Sequence, residues 1–84
     1  MQKFRRRGSV GKTDDGLVMI NDQDESVPVD EMIIMVWNLC DGQDEQSVVS
    51  MLMSKVKADR EPVEAAIRHI IKELVNFGML EAVE

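Results

Sequence analysis

The chain has 84 residues, with 16 acidic against 10 basic side chains and a net charge of −6. Its 44% hydrophobic and 31% charged content is that of a globular domain rather than a disordered tail, and the length suffices for one domain, near the small end of what folds unaided. No run of about 18 apolar residues occurs, so no membrane span is expected, and the single cysteine, Cys40, excludes a disulfide framework.

With His69 as the sole imidazole, a His/Cys metal cluster is excluded as well, and a reducing, cytoplasmic setting is expected. The charge is unevenly spread. Residues 1–13 hold Lys3, Arg5, Arg6, Arg7 and Lys12 and no acid, while residues 14–84 carry five basic and sixteen acidic groups, a net −11. An acidic body repels phosphate backbones, which disfavours a nucleic-acid partner. Phe4, Trp37 and Phe77 are the only aromatics, too few for a base-stacking surface.

In chain order, residues 1–8 are basic with no apolar stretch behind them. They read as a flexible tail, not as a secretory signal. Residues 9–84 read as one domain. Ser9 to Thr13 is a short strand, Asp14-Asp15-Gly16 a hairpin signal, and Leu17-Val18-Met19-Ile20 an apolar run of strand length. Asn21-Asp22-Gln23-Asp24 is a second polar turn. Glu25 to Val29 is the third strand, with Val27 and Val29 on one face. Pro28, lacking an N–H, confines that strand to a sheet edge. The strands, at about 9–29, predict an antiparallel meander.

Three helices follow, at about 31–40, 45–57 and 60–77. Asp30, Asp44 and Asp59 stand where N-caps are needed, and Asp41-Gly42 and Gly78 where helices stop. The first helix, with Met32, Ile33, Met35, Val36, Trp37, Leu39 and Cys40, has almost no polar face and reads as buried. Val48, Val49, Leu52, Met53 and Val56 recur at helical spacing in the second, and Val63, Ile67, Ile70, Leu74 and Phe77 in the third. Met79-Leu80 folds back onto the core, and residues 81–84 read as a frayed end.

Little in the chain suits catalysis. His69 lies on a polar flank of the third helix without a nucleophile or carboxylate partner legible beside it, and Cys40 reads as a packed small hydrophobe. Asp22-x-Asp24 lacks the glycine and glutamate of a calcium loop, and Gly8 to Lys12 lacks the spacing of a phosphate loop. No catalytic residue, metal or cofactor is therefore expected.

A groove is the more informative feature. With Val63 set at 0° and about 100° per residue, Val63, Ile67, Ile70 and Leu74 cluster near 0–40° and −20°, whereas Glu64, Arg68, Ile71 and Val75 fall at roughly 80–140°. The opposite flank, with Ala66, His69, Glu73 and Phe77, is less clearly amphiphilic. An apolar flank outside the core stripe marks either a wider core or a partner site. Beside an edge strand it makes a groove for an extended peptide, with Arg68 placed to meet an acidic residue.

Val29-Asp30, followed by Val36-Trp37-Asn38-Leu39-Cys40-Asp41-Gly42, resembles the corresponding run of PqqD-like proteins, the RiPP recognition elements. Ile67, Ile70 and Leu74 with Phe77-Gly78-Met79-Leu80 resemble the family's closing helix and tail, so the likeness covers residues 9–81. It implies an α+β, winged-helix-like fold in which a three-stranded antiparallel sheet is followed by a three-helix bundle. It also implies a non-catalytic protein that binds the leader of a ribosomally made precursor peptide by strand addition and presents it to a radical-SAM maturase. Carried onto this chain, the peptide site comprises Glu25, Ser26, Val27 and Val29 of the strand and Glu64, Arg68, Ile71, Lys72 and Val75 of the helix flank. Pro28 withholds one backbone donor from that strand, and Asp30 replaces the family's usual asparagine. The partners implied are the leader peptide and the maturase, with the protein itself a monomer or homodimer. The alternative is a winged-helix DNA-binding module that offers Arg60, Arg68, His69 and Lys72, with Arg5 to Arg7 on phosphates. A structural subunit that docks on an enzyme without reading a peptide also fits.

Overall fold

Two antiparallel sheets and three helices share one core in the computed structural model, which describes residues 2–83. The order is β1 (Lys3–Arg6), β2 (Ser9–Thr13), β3 (Gly16–Ile20), β4 (Ser26–Val29), α1 (Glu31–Cys40), α2 (Glu45–Met53), α3 (Arg60–Phe77) and β5 (Leu80–Val83). One sheet has the order β2-β3-β4 and the other pairs β1 with β5. The fold class is α+β.

The meander follows from its turns. Asp14 and Asp15 form a two-residue loop between β2 and β3, braced by Thr13, whose hydroxyl accepts from the Asp15 N–H at 3.3 Å. Cross-strand register places Val10, Met19 and Val27 side by side. Met19 is fully buried, so this face of the sheet meets the helices. The helices start on caps: the Asp30 carboxylate accepts from the Ile33 N–H at 2.9 Å and that of Asp44 from Ser47 at 2.8 Å. Asp59 occupies the third cap position without a side-chain bond. α3 ends at Gly78, whose φ of 86° lets the Met79 N–H return to the Leu74 carbonyl at 2.8 Å. Trp37 then fixes the exit, its Nε1 donating to the Met79 carbonyl at 2.8 Å inside the core.

The basic N-terminus departs from expectation. Rather than a flexible tail, Lys3–Arg6 pair in register with Leu80–Val83, and Phe4 is buried. The Phe4 N–H donates to the Gln43 carbonyl at 3.0 Å, and its carbonyl accepts from Gly42 at 2.7 Å. Its arginines are also engaged. Arg5 reaches Glu81 at 3.0 Å, Arg7 bridges Asp22 (2.8 Å) and Glu81 (3.0 Å), and Arg6 lies 5.1 Å from the Trp37 ring centroid. Hydrogen bonding from Arg5, reinforced by Arg7, holds the Glu81 carboxyl below its usual range. The expected frayed end is accordingly a strand as far as Val83. Met1 of the expected tail and Glu84 of the expected frayed end lie outside the described residues.

Two helices differ in detail. α2 stops at Met53, where Ser54 caps it and its hydroxyl donates to the Met51 carbonyl at 2.7 Å. α1 is not wholly buried: Met32 and Met35 remain 43% and 38% exposed. Its buried residues are Val36, Trp37 and Cys40, with Ile33, Ile34 and Leu39 partly buried against the core.

Candidate functional site

β4 and α3 stand on opposite sides of a groove of about 270 Å³. Val27, Pro28 and Val29 form one wall, and His69, Ile70, Glu73 and Phe77 the other. Met19, Ile33 and Leu74 complete the lining. Apolar floors with few polar groups are typical of binding clefts, and this volume suits side chains of a segment rather than a whole small molecule.

β4 is an edge strand, and the register shows what its free edge offers. The Asn21 N–H donates to the Glu25 carbonyl at 2.9 Å, so residues 21 and 25 form a hydrogen-bonded pair. Alternation along an antiparallel ladder then makes Met19–Val27 and Leu17–Val29 bonded pairs too. Ser26 and Pro28 therefore direct their main-chain groups outward. The free edge presents the N–H and C=O of Ser26 and the C=O of Pro28. The donor that proline lacks is one that would have faced outward, so the β3–β4 ladder loses nothing.

Asn21 positions this edge. It is 4% exposed and satisfied at both ends. Its Nδ2 donates to Glu25 Oε1 and to the Phe77 carbonyl, both at 2.9 Å, and its Oδ1 accepts from the N–H groups of Gln23 (3.0 Å) and Glu25 (2.9 Å). One side chain thus shapes the turn into β4 and ties it to the C-terminal end of α3.

The residues expected at the site divide sharply. Val27 and Val29 line the groove, and Ser26 supplies its outward main-chain groups. Glu25 precedes β4, its main chain spent on Asn21. The helix flank of Glu64, Arg68, Ile71, Lys72 and Val75 does not face the groove. Arg68 turns toward α2, with Glu64 at 3.2 Å and Glu45 at 3.6 Å. Ile71 is 5% exposed, part of the wider core. Val75 lies in a shallow surface depression with Arg7, Asp22 and Glu81, and Lys72 is exposed elsewhere on the helix. The groove wall is instead the flank of His69, Glu73 and Phe77, read from sequence as the less clearly amphiphilic one. The signal was Ile70 and Phe77 on one side of the stripe, interleaved with two polar residues.

Chemistry is sparse. Burial pushes the Cys40 thiol up to about 12, so it is a packed side chain rather than a nucleophile. Among the described residues, no group of three or more His, Cys, Asp or Glu is placed to hold a metal ion. Among the described residues, no helix is long and apolar enough to cross a membrane.

These features define an α+β domain with an unpaired edge strand across an apolar groove from a long helix. Residues 16–80 match the family model described as "Coenzyme PQQ synthesis protein D (PqqD)", and the chain belongs to this family. No curated protein matches the sequence. Among solved structures, "Lasso peptide synthetase B1 complexed with the leader peptide" is 28% identical, with a TM-score of 0.70 over 94% of this chain and 98% of that one. "TbiB1 in Complex with the TbiA(beta) Leader Peptide" shares the fold at 21% identity, with a TM-score of 0.74 over 98% of each chain.

Proposed function

We propose that this protein binds the leader segment of a ribosomally made precursor peptide as an added strand on the free edge of β4, and presents it to a radical-SAM maturase. The observation that carries the reading is the outward edge of Ser26 and Pro28 beside a groove walled by α3. Main-chain bonds to the edge supply affinity, and alternate side chains of the peptide enter the groove. Membership of the PqqD family and likeness to a leader-bound lasso peptide synthetase B1 support it. The protein itself supplies no catalytic residue and needs no cofactor in this reading, so the chemistry belongs to the partner enzyme. The peptide-contacting helix residues are His69, Ile70, Glu73 and Phe77, in place of the Arg68 flank.

Calorimetric titration with the leader encoded beside this protein's gene tests the reading. Ser26→Pro removes an outward donor without touching the β3 ladder, so it is expected to weaken binding by about five-fold, one net hydrogen bond. Binding at full strength by that variant refutes strand addition at β4. The likeness to lasso peptide synthetase B1 favours a second reading of the partner, in which the leader is delivered to lasso-forming enzymes instead. Co-purification of the leader complex with one enzyme class and not the other decides between them. The nucleic-acid reading loses ground, because Arg60 and Arg68 of α3 are held by Glu64 and Glu45. The free edges of β2 and β4 accommodate a monomer or an edge-paired homodimer, which sedimentation velocity distinguishes.

A further inference from the structure

We infer that the groove selects a peptide carrying a lysine or arginine at the position that passes Glu73. This rests on the peptide-binding reading above and gives that peptide its charge.

The polar residues lining the groove are His69 and Glu73, with no lysine or arginine among the lining residues. Elsewhere in the protein several surface carboxylates are matched, though not all: Glu31 and Glu61 form no ion pair among the described residues. Glu64 meets Arg60 and Arg68, Glu45 meets Arg68, and Glu81 and Asp22 meet Arg7. Glu73 forms no ion pair among the described residues. The acidic groups nearest in the chain to the ends of β4 add to its sign: Glu25 precedes the strand, and Asp30 and Glu31 follow it. The nearest cations by position are Lys12, across β3 from Val29, and Lys72, farther round α3. Neither lines the groove.

A long basic side chain fits this arrangement in both its parts. Its methylene stem lies along Ile70 and Phe77 while its charged head reaches the Glu73 carboxylate. An acidic residue there has no cation to meet and faces Glu73 directly. Arg68, the cation that would have called for an acidic peptide, is turned to α2. The sign of the preferred ligand is reversed accordingly.

The test uses the full chain and fluorescein-labelled peptides of alternating leucine and threonine, in which one position at a time is Lys, Gln or Glu. Fluorescence anisotropy at low salt is expected to show Lys favoured over Glu at one position by about three- to five-fold, declining with added salt. Glu73→Gln abolishes the preference and Glu73→Lys inverts it, whereas Arg68→Gln leaves it in place. Circular dichroism confirms that each variant is folded. Peptide binding without any charge preference, or a preference unchanged in Glu73→Lys, overturns this inference alone. Failure of every peptide, including the leader encoded beside the gene, overturns it together with the peptide-binding reading.

Discussion

Replacing Asn21 by alanine tests the step from local structure to site. The side chain makes four hydrogen bonds: two join the turn to itself, one holds the Glu25 carboxylate, and one crosses to the Phe77 carbonyl. Each is worth about 1 kcal/mol net. The released amides of Gln23 and Glu25 lie on exposed residues and recover water, so their loss costs less, about 0.5 kcal/mol each. The expected sum is about 2–3 kcal/mol, against a total stability of about 4–13 kcal/mol for a chain of this length. With a urea slope of about 1 kcal/mol per molar, the unfolding midpoint falls by roughly 2–3 M. Trp37 is buried and remains in place, so its fluorescence reports the transition. Asn21→Asp keeps the two acceptor bonds, loses both donor bonds and sets a carboxylate against Glu25. Burial and like charge raise the pKa of the introduced carboxyl. A raised folded-state value makes its contribution most favourable at low pH and lost as pH rises, so this variant recovers toward Asn21→Ala stability in acid. Peptide binding by folded Asn21→Ala falls several-fold, because the walls of the groove are no longer tied together. A midpoint within about 0.5 M of the parent protein's refutes the role given to Asn21.

Gly8→Ala is expected to destabilise by more than about 1 kcal/mol, measured by urea unfolding. Its φ is 73°, and an added Cβ collides with the Ile20 carbonyl and stands 2.6 Å from Met79 Sδ. Cys40 stays unmodified by iodoacetamide at mildly alkaline pH in the native state and reacts on unfolding, followed by mass spectrometry, because burial has pushed its thiol up to about 12. Arg5, chiefly through its hydrogen bond, lowers the Glu81 carboxyl from its usual 4.5. A depressed folded-state value gives stabilisation that is present above 4.5 and lost as pH falls through the lower value, so Glu81→Gln flattens the acid limb of a stability–pH curve.

The helices were legible because several signals coincide at each boundary. Asp30 and Asp44 bond the first turn as caps do, and Gly78 takes the left-handed conformation that ends α3. The meander was legible through Asp14-Asp15-Gly16 and through Pro28, whose missing donor falls on the outward side of an edge strand. β1 was not legible. Lys3–Arg6 contain one apolar residue, Phe4, and alternation over four residues around one hydrophobe is indistinguishable from a solvated tail. The strand exists because Leu80–Val83 pairs with it, a partner some 75 residues away that no local pattern announces.

The groove shows how a correct kind of site was joined to the wrong side of a helix. A helical wheel gives angles around α3 but not the direction from which the sheet approaches. Ile71 and Val75 looked like an apolar flank beyond the core stripe, and both readings of such a flank were open. Ile71 belongs to the wider core, and Val75 lies beside the β1–β5 ribbon. That ribbon was the missing piece: once Lys3–Arg6 is a strand paired with β5, it and α2 occupy the side of α3 that carries Arg68, Ile71 and Val75. The meander is left with the side that carries His69, Ile70, Glu73 and Phe77. The two departures thus have one origin. A tail that folds decides which flank of α3 meets the free edge of β4, and with it whether the groove offers the cation of Arg68 or the carboxylate of Glu73.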